Sequence, residues 1–479
     1  MAATANLAFF VFAFFYAAQS GTSTAKSGDR IPLLAFRNGL ANSSRRLLQW
    51  NETDSFSPCS WTGVSCYEDG ITVRRLNLSG LGLEGKLSPE LRHLRGIVSL
   101  DISYNSLSGQ IPPELSNCSR LQTLFLNDNH FSGSIPPELF DLTELVSLDL
   151  GYNSLRSTIP LQIGKLKKLE FLGLYNNYLN GSIPKEVFSL PKLQEIILNT
   201  NNLTGKIPEF EEMCSIVSLW LHYNLLSDNV PSSLEFCVNL ADIYIVNNQL
   251  QGTMPSSLGT LPYIRNLFLD GNNLVGSIPK TLGNLGSLLV LSLHDNQLDG
   301  SIPAELGFCG NITTLSLSQN NLVGSIPSSL GFLPQLGLLH IFNNRLTGEI
   351  HVELGNSSSL FDVQLYNNFL HGVIPPELGR LGNLKMLFLH NNSLVGVIPK
   401  EIGNLSLLEQ LGLYNNNLSG RIPASIASLQ HLHFLSLAEN NLVGEVPVEL
   451  GMKNRLIALD LTRNRLNGTI PPISVQEEC

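Results

Sequence analysis

Apolar and polar residues follow one short pattern that recurs along almost the whole chain. In the copy centred on Asn296, apolar residues lie 5 and 3 positions before the asparagine and 2, 6 and 10 positions after it. Gly300 lies at +4 and Pro303 at +7. Leu291 and Leu293 alternate with polar neighbours, which predicts a short strand with its leucines on one face and its polar residues on the other.

The central asparagine returns every 24 residues, apart from one step of 23 between positions 201 and 224. With a degenerate first copy centred on Leu81, the pattern occurs 17 times. One copy cannot bury its leucines alone, so the copies must stack. With strands about 4.8 Å apart, they would form a parallel sheet roughly 80 Å long. Stacked asparagines would bond to the turning backbone and form a ladder that satisfies buried amides.

This period is that of a leucine-rich repeat. We therefore predict an α/β solenoid, a right-handed superhelix whose parallel β-sheet lines the concave face. The domain boundaries that follow are a leader at 1–20, an N-terminal cap at 21–72, repeats at 73–472 and a truncated or atypical end at 473–479.

The leader has an apolar run from Leu7 to Ala18 followed by small residues, which indicates a secretory signal peptide. That run of about 12 residues is too short to span a bilayer, and no later segment qualifies as a membrane helix. Twelve Asn-x-Ser/Thr sequons support an extracellular chain, although an asparagine-rich repeat can also generate sequons by accident. They lie at Asn42, Asn51, Asn77, Asn117, Asn180, Asn202, Asn311, Asn356, Asn391, Asn404, Asn417 and Asn467.

The segment before the repeats differs in character and predicts a cap that shields the first leucines from water. Residues 31–40 fit a short amphipathic helix, and two tryptophans and two cysteines follow it. In an oxidising compartment, Cys59 and Cys66 would form a disulfide that pins this cap.

The run Cys59-Ser-Trp-Thr-Gly-Val-Ser-Cys66, preceded by Trp50, resembles the N-terminal cap of plant leucine-rich-repeat receptor-like kinases. The Leu-x-Gly-x-Ile-Pro tail of each copy is the plant-specific form of the repeat. Glycine at +4 is replaced only by Ser157 and Asp228, and proline at +7 only by Ser88 and His351. The family usually closes its solenoid with a C-terminal cysteine pair, whereas Cys479 has no neighbouring partner in this sequence.

Four more cysteines share the +13 position, on the outer side of the repeat, which argues for packing and against chemistry. They are Cys118, Cys214, Cys237 and Cys309. Only Cys214 and Cys237 belong to adjacent copies, so the sequence leaves open whether they form a disulfide.

Several weaker signals do not predict chemistry. The glycines at 80, 82 and 85 match a dinucleotide fingerprint, but they lie inside the first repeat with no helix after them. His431 and His433 lie two apart in a strand, without the spacing of a metal site. A net charge of −10 with 14% charged residues disfavours nucleic acid as a partner. We expect no enzyme activity, no metal and no cofactor.

A binding surface remains as the candidate for function. Residues at −4, −2, −1 and +1 of each copy should face the concave side or its edge, and aromatic residues recur there in two groups, which is typical of a binding groove. Rung-to-rung stacking of these rings is the alternative explanation. Between Asn202 and Asn356 only Asn311 carries a sequon, on the outward side, so the inner face should be free of glycans. The candidate ligand-binding residues are Trp220, His222, Tyr223, Tyr244, Phe268, Asp270, His294, His340, Phe342, Tyr366, Arg463 and Arg465.

The family resemblance implies a ligand-sensing ectodomain with a peptide on its concave face and a co-receptor kinase with a short repeat ectodomain. It would meet the membrane only through a segment absent from this chain. The alternative is a secreted inhibitor of microbial cell-wall-degrading enzymes, or a kinase-less decoy receptor. Those inhibitors are much shorter, so 17 copies favour the receptor. By the same resemblance, Arg463 and Arg465 would hold the free carboxylate of a peptide. The alternative is that they form a solvated rim of the solenoid, since arginine at +1 recurs at Arg345.

Overall fold

The computed structural model of the chain describes residues 28–41, 47–51, 57–450 and 456–469. The predicted signal peptide, Asn42 and Cys479 lie outside these residues. Within them the predicted solenoid is confirmed, because 17 short strands pair in parallel and in sequence order, each with the equivalent strand of the next repeat. One antiparallel strand of the cap, Val64–Cys66, pairs with the first of them.

These strands form the inner sheet on the concave face. Each repeat strand after the first occupies positions −6 to −4. In the copy centred on Asn296 this strand is Val290–Ser292, with Leu291 in its middle. The inner sheet consists of Val64–Cys66, Val73–Asn77, Ser99–Asp101, Thr123–Phe125, Ser147–Asp149, Phe171–Gly173, Glu195–Ile197, Ser218–Trp220, Asp242–Tyr244, Asn266–Phe268, Val290–Ser292, Thr314–Ser316, Leu338–His340, Asp362–Gln364, Met386–Phe388, Gln410–Gly412, Phe434–Ser436 and Ala458–Asp460.

A second set of parallel strands, which the repeat pattern did not predict, follows the asparagine in most copies. It forms four separate sheets along the side of the solenoid. These lateral strands are Glu84–Lys86, Ser106–Gly109, His130–Gly133, Ser154–Ser157, Tyr178–Ser182, Asn202–Lys206, Leu225–Asp228, Gln249–Leu250, Val275–Ser277, Gln297–Asp299, Val323–Gly324, Arg345–Leu346, Val395–Val397, Asn417–Gly420, Asn441–Glu445 and Arg465–Asn467.

Most copies carry a short 3-10 helix on their outer side. The N-cap of this helix is usually the proline at +7. Pro303, for example, has φ −65° and ψ 129° and precedes a helix at positions +8 to +12. The 3-10 helices are Pro58–Ser60, Pro89–His93, Pro113–Asn117, Pro137–Asp141, Leu161–Lys165, Ser232–Phe236, Ser256–Thr260, Lys280–Asn284, Ala304–Phe308, Ser328–Phe332, Val352–Asn356, Pro376–Arg380, Lys400–Asn404 and Ala424–Ser428. The α-helices of the described residues are Arg30–Asn38 and Lys185–Phe188.

The predicted asparagine ladder is present. The amide nitrogen of Asn296 donates to the carbonyl oxygens of Leu269, Leu293 and His294 at 3.0, 3.2 and 3.3 Å. Its side-chain oxygen accepts from the amide of Leu274 at 3.0 Å. One buried side chain therefore bonds to its own turn and to backbone of the preceding copy, and the same arrangement repeats along the solenoid.

Two positions of each copy lie in the left-handed backbone region. The residue at −1 has a positive φ in every described copy from Tyr104 to Arg463, which explains why asparagine, aspartate or glycine often occurs there. The glycine at +4 shows the same conformation, and so do Ser157 and Asp228, the two residues that replace it, with φ 75° and 70°. The backbone of the repeat is thus kept where the sequence departs from it, at a cost of order 1–3 kcal/mol for each residue.

The cap is built as predicted, with one difference. The helix Arg30–Asn38 buries Leu33, Leu34 and Phe36, whereas Ile31 stays 61% exposed. Trp50 and Trp61 stack with ring centroids 5.4 Å apart. The predicted disulfide between Cys59 and Cys66 is formed.

The pairing that the sequence left open is also formed, because Cys214 and Cys237 are joined by a disulfide. It bridges the repeats on either side of the 23-residue step, where residues 207–217 contain no helix. The other two cysteines at +13 remain buried thiols that donate to the carbonyls of Leu91 and Leu282, both at 3.3 Å. Burial raises the pKa of Cys118 to about 12 and of Cys309 to about 11, so both are unreactive.

Candidate ligand-binding face

The inner sheet presents its side chains in columns, one residue from each copy. In each repeat strand the residue at −5 packs in the leucine core, buried in all copies but the last, where Leu459 is partly buried, while those at −6 and −4 point to the concave side. Register is kept from copy to copy, so that Trp220 pairs with Tyr244 and Tyr244 with Phe268. Residues of one column are therefore neighbours across the sheet although they are about 24 positions apart in sequence.

The first aromatic group comes together as predicted. Ring centroids of Trp220 and Tyr244 are 4.9 Å apart, and those of Tyr244 and Phe268 are 4.8 Å apart in a stacked arrangement. His222 lies against Trp220, Tyr244 and the exposed Tyr223, with centroid distances of 5.8, 6.3 and 5.6 Å. These five rings form one half-exposed apolar surface.

Burial lowers the pKa of His222 to about 4, so the imidazole is neutral at physiological pH. Its Nδ1 atom is buried without a hydrogen-bond partner. Trp220 is oriented by a hydrogen bond of 2.8 Å from its indole nitrogen to the hydroxyl of Ser218. This group therefore offers aromatic area and no formal charge.

The second aromatic group forms a continuous stack at −2. Phe342, Tyr366, His390 and Tyr414 follow one another with centroid distances of 4.4, 4.3 and 4.2 Å and interplanar angles of 7°, 12° and 15°. Rung-to-rung stacking, the alternative explanation for these aromatics, thus occurs in both groups. It fixes the orientation of the rings and leaves their outer edges on the concave side.

One predicted binding residue is placed differently from the expectation. Asp270 was expected to face the concave side, but it is 4% exposed. It accepts from the Ser292 hydroxyl at 2.6 Å and from the backbone amide of His294 at 2.9 Å. Burial raises its pKa. The Asp270 carboxylate therefore links two copies, because it accepts hydrogen bonds from residues at the end of the strand in the next copy.

His340 is likewise held by a residue that no sequence pattern singled out. Its Nε2 lies 2.8 Å from the carboxylate of Asp362, which is 4% exposed and also accepts from Gln364. Asp362 is at −6 of the next copy, so only the register of the sheet reveals the pair. Because Nε2 faces Asp362, only the rest of the His340 ring is left to contact a ligand.

The two arginines of the last copy do not have the same surroundings. Arg463, at −1, forms an ion pair with Glu439 of the preceding copy, and both side chains are largely exposed. Arg465 begins the lateral strand Arg465–Asn467, next to Val443. The predicted cationic site is thus partly neutralised by one carboxylate.

A buried carboxylate near the N-terminal end of the inner sheet was missed by the sequence analysis. Asp149 accepts from the amide of Gly151 at 2.9 Å and from the hydroxyl of Tyr175 at 3.4 Å. Burial raises its pKa to about 6, and the negative charges of Asp128 and Asp101 add to the effect. Aspartate at −4 carries no signal by itself, because Asp101 and Asp460 occupy the same position in other copies and are half-buried and exposed.

This raised pKa predicts a pH-dependent stability. The folded state binds the proton of Asp149 more tightly than the unfolded chain does, so the charged carboxylate costs stability above pH 6. Relative to Asp149→Asn, wild type should gain on the order of 2 kcal/mol as the pH falls from 7 to 4. Urea unfolding of both proteins at several pH values measures this. The control Asp295→Asn, an exposed carboxylate, should show no such change, and a pH-independent difference for Asp149→Asn would contradict the assignment.

The sequon asparagines within the described residues, eleven of the twelve, are exposed or half-buried. Asn311 follows the outer 3-10 helix Ala304–Phe308 and is exposed, away from the inner sheet. Asn391 differs from the rest, since its amide is bonded to Asn367 and Asn415 on either side.

Among the described residues no group of three or more His, Cys, Asp or Glu side chains could hold a metal ion. The helices in that part of the chain are all too short or too polar to cross a membrane.

The fold and the columns of the inner sheet define a leucine-rich-repeat solenoid. Residues 27–67 match the family model "Leucine rich repeat N-terminal domain". The model "Leucine Rich Repeat" matches residues 96–118, 120–142, 144–166, 263–285, 287–309, 311–333, 383–405 and 407–429.

Solved structures of plant receptors resemble most of the chain. The ectodomain of GASSHO1/SCHENGEN3 from Arabidopsis thaliana, in complex with CASPARIAN STRIP INTEGRITY FACTOR 2, is 35% identical with a TM-score of 0.71, over 92% of this chain and 59% of that one. The plant peptide hormone receptor RGFR1, in complex with RGF2, is 33% identical with a TM-score of 0.71, over 85% and 72%. A TDR receptor is 33% identical with a TM-score of 0.78, over 82% and 68%.

Curated relatives match over shorter segments. The probable LRR receptor-like serine/threonine-protein kinase IRK of Arabidopsis thaliana is 36% identical over 78 residues, 16% of this chain. The kinase ERL1 of the same plant is 36% identical over 81 residues, 17% of this chain. In each case the match spans 8% of the relative's length. This chain belongs to the leucine-rich-repeat ectodomain family of plant receptor-like kinases, and the part of it that the structure describes consists of a cap and repeats of the ectodomain type, with no kinase domain.

Proposed function

We propose that this chain is the extracellular ligand-sensing part of a plant receptor kinase, which binds a peptide on its concave face and recruits a co-receptor for signalling. The observation that carries the proposal is the pair of aromatic groups, aligned in register on the inner sheet. Half-exposed rings held in fixed orientation by their neighbours are the anchors that protein and peptide interfaces use, since little side-chain entropy is lost on binding.

The relatives support the ligand class and the partner. The structures of GASSHO1/SCHENGEN3 and RGFR1 each contain a peptide or protein factor, and that of the receptor kinase HAESA contains the peptide hormone IDA and the co-receptor SERK1. We infer the same kind of arrangement here. The stretch from the seventh to the twelfth copy is free of inward sequons and roughly 29 Å long, so it would hold about nine residues of an extended peptide.

The experiment is recovery of bound peptides from plant extracellular fluid on the purified, glycosylated chain, followed by titration with the synthetic peptide. We expect saturable binding of a short peptide, and association of a co-receptor ectodomain only when the peptide is present. Selective capture of a microbial cell-wall-degrading enzyme instead would favour the secreted inhibitor. The transcript downstream of Cys479 is an independent check, since a membrane helix and a kinase there define a receptor.

The arginine pair gives a prediction for the end of the peptide. If Arg463 and Arg465 hold a free carboxylate, amidation of the peptide should cost wild type about 2 kcal/mol of binding free energy and cost the double alanine variant almost nothing. Arg345→Ala is the matched control, because that arginine also lies at +1 but in another copy. Glu439→Gln should strengthen binding of the free acid, since it releases Arg463. Equal losses in wild type and the double variant would place the carboxylate elsewhere.

A further inference from the structure

One edge of the solenoid is basic along the first five copies and uncharged along the next ten. It consists of positions +14 and +15, where the chain passes from the outer helix to the inner strand of the next copy, and it lies opposite the lateral strands. In copies one to five these positions hold five cations and one carboxylate, and in copies six to fifteen they hold no Lys, Arg, Asp or Glu. Together with the neighbouring Arg74, we call these cations the basic edge: Arg74, Arg95, Arg120, Lys167, Lys168 and Lys192.

Side chains on this edge are close enough to act together. Lys168 in copy four reaches Glu144 in copy three, with its Nζ 2.7 and 2.6 Å from the two carboxylate oxygens. Arg74 lies over the ring of Tyr67 at 5.5 Å from the centroid, and the Tyr67 hydroxyl donates to the carbonyl of Gly96, at the start of the row. With copies about 4.8 Å apart, the row from copy one to copy five is roughly 20 Å long.

Most of these cations have no counter-ion in the protein. All six are exposed, and Lys168 alone among them forms an ion pair within the described residues, with Glu144. Glu170, two positions after Lys168, is a second carboxylate beside the row. Six cations against two carboxylates leave a local charge of +4, in a chain whose net charge is −10. Such a concentration of positive charge attracts an anionic partner.

The surroundings of the row favour a polysaccharide over a protein or a nucleic acid. No large apolar or aromatic side chain occupies +14 or +15 in copies one to five. A protein partner would need such anchors, and single-stranded nucleic acid would need rings on which its bases stack. Exposed hydroxyl and amide side chains lie between the cations instead, and these can bond to sugar hydroxyls: Ser119, Gln122, Thr143 and Gln194.

We propose that the basic edge binds a linear polyuronate, a polysaccharide that carries one carboxylate on every sugar. An arginine side chain can hold a carboxylate with two charge-assisted hydrogen bonds, and a lysine adds a mobile positive charge. The row has at most two cations in a copy, so it suits one extended polymer chain better than a flat membrane surface. Because the basic edge lies outside the concave face, this function is separate from peptide binding. It would hold the chain on an acidic extracellular matrix.

One sequon lies next to the basic edge. Asn117 is exposed at the end of the outer helix Pro113–Asn117, three positions before Arg120. A glycan on Asn117 would stand beside Arg120 and compete with a polymer for the same space. Asn117→Gln removes the sequon without changing any residue of the basic edge, so it is measured alongside wild type.

The test is titration of a galacturonate decamer into the full glycosylated chain by calorimetry. The methyl-esterified decamer is the comparison ligand, because esterification removes the charges and keeps the sugar backbone. The acidic decamer should bind and the ester should not. Raising NaCl from about 0.05 M to about 0.3 M should weaken binding roughly tenfold, since exposed charges are screened by salt.

Two triple variants with the same change in net charge separate the basic edge from charge in general. The edge variant replaces three cations that form no ion pair within the described residues: Arg95→Gln, Arg120→Gln and Lys192→Gln. The control variant replaces two exposed arginines and one exposed lysine outside the edge: Arg345→Gln, Arg421→Gln and Lys400→Gln. The edge variant should bind the decamer about tenfold more weakly than the control variant. Glu144→Gln should strengthen binding about twofold, because it releases Lys168.

Each outcome decides the proposal. Binding of the acidic decamer that is lost in the edge variant and kept in the control variant supports it. Absence of binding to both wild type and Asn117→Gln overturns it, and so do equal losses in the two triple variants, which would show a response to net charge alone. Tighter binding of decaaspartate or of phosphatidylserine vesicles would assign the edge to an acidic protein or a membrane, and would also overturn it. Peptide binding is measured separately and does not depend on this result.

Discussion

Replacing Asn296 by alanine lowers the free energy of unfolding by about 3 kcal/mol, the largest effect we expect from a single polar side chain in the repeats. The amide makes four hydrogen bonds to backbone groups, of which three are buried and the one to the His294 carbonyl is partly buried. Removing it leaves the N–H of Leu274 without a partner and takes one hydrogen bond from each of three carbonyl oxygens, which keep a bond from Asn272, Asn320 or the amide of Gly271. An unsatisfied buried donor costs roughly 1–3 kcal/mol, and each lost hydrogen bond about 0.5–1 kcal/mol. Because every repeat contacts only its neighbours, the loss should destabilise the copies around the substitution first.

Urea unfolding followed by far-UV circular dichroism and by hydrogen exchange measures this change. Gln297→Ala, the adjacent exposed residue at +1, is the control and should alter stability by less than 0.5 kcal/mol. Exchange should quicken most at the amide of Leu274, which the Asn296 side chain accepts from. A loss below 1 kcal/mol would mean that water replaces the amide at each of its partners.

The second large effect concerns binding. Trp220→Ala and Phe342→Ala should each reduce the affinity for the peptide recovered from plant fluid by at least thirtyfold, about 2 kcal/mol, since buried aromatic anchors dominate such interfaces. Both side chains stand on the concave side, opposite the leucine core. Truncation removes the tilted contact of Trp220 with Tyr244 or the stacked contact of Phe342 with Tyr366, so we expect a cost in folding stability of about 1.5 kcal/mol.

Tyr178→Ala serves as the control for these variants, because Tyr178 is a 53% exposed aromatic on a lateral strand. Its substitution should leave the affinity unchanged. The decisive comparison for Trp220→Ala and Phe342→Ala is between the change in melting temperature and the change in peptide affinity. If the melting temperature falls steeply while the peptide still binds with wild-type affinity, the rings serve to pack one copy against the next.

Much of this molecule follows from its sequence because the repeat encodes its own contacts. Leu291 and Leu293 are spaced so that one copy cannot hide them, and stacking is the only arrangement that buries them all. The position of Asn296 between two apolar residues and a turn predicts its ladder, since a buried amide must find backbone partners. The cap disulfide between Cys59 and Cys66 could be predicted for the same reason, as both members lie in one short segment.

Side-chain contacts between neighbouring copies could not be predicted in this way. They join residues about 24 positions apart, and the register of those residues is set only when the sheet assembles. The sequence by itself determined the solenoid, the strands of its inner sheet, the asparagine ladder, and the column in which each concave residue stands. Only the tertiary structure decided that Asp270 is buried, that Asp362 holds His340, that Cys214 bonds to Cys237, and that the rings at −2 stack face to face. The physical reason is that a column's chemistry depends on the side chains about 4.8 Å away in the neighbouring copies, and a repeat pattern specifies the spacing of those neighbours without specifying their identity.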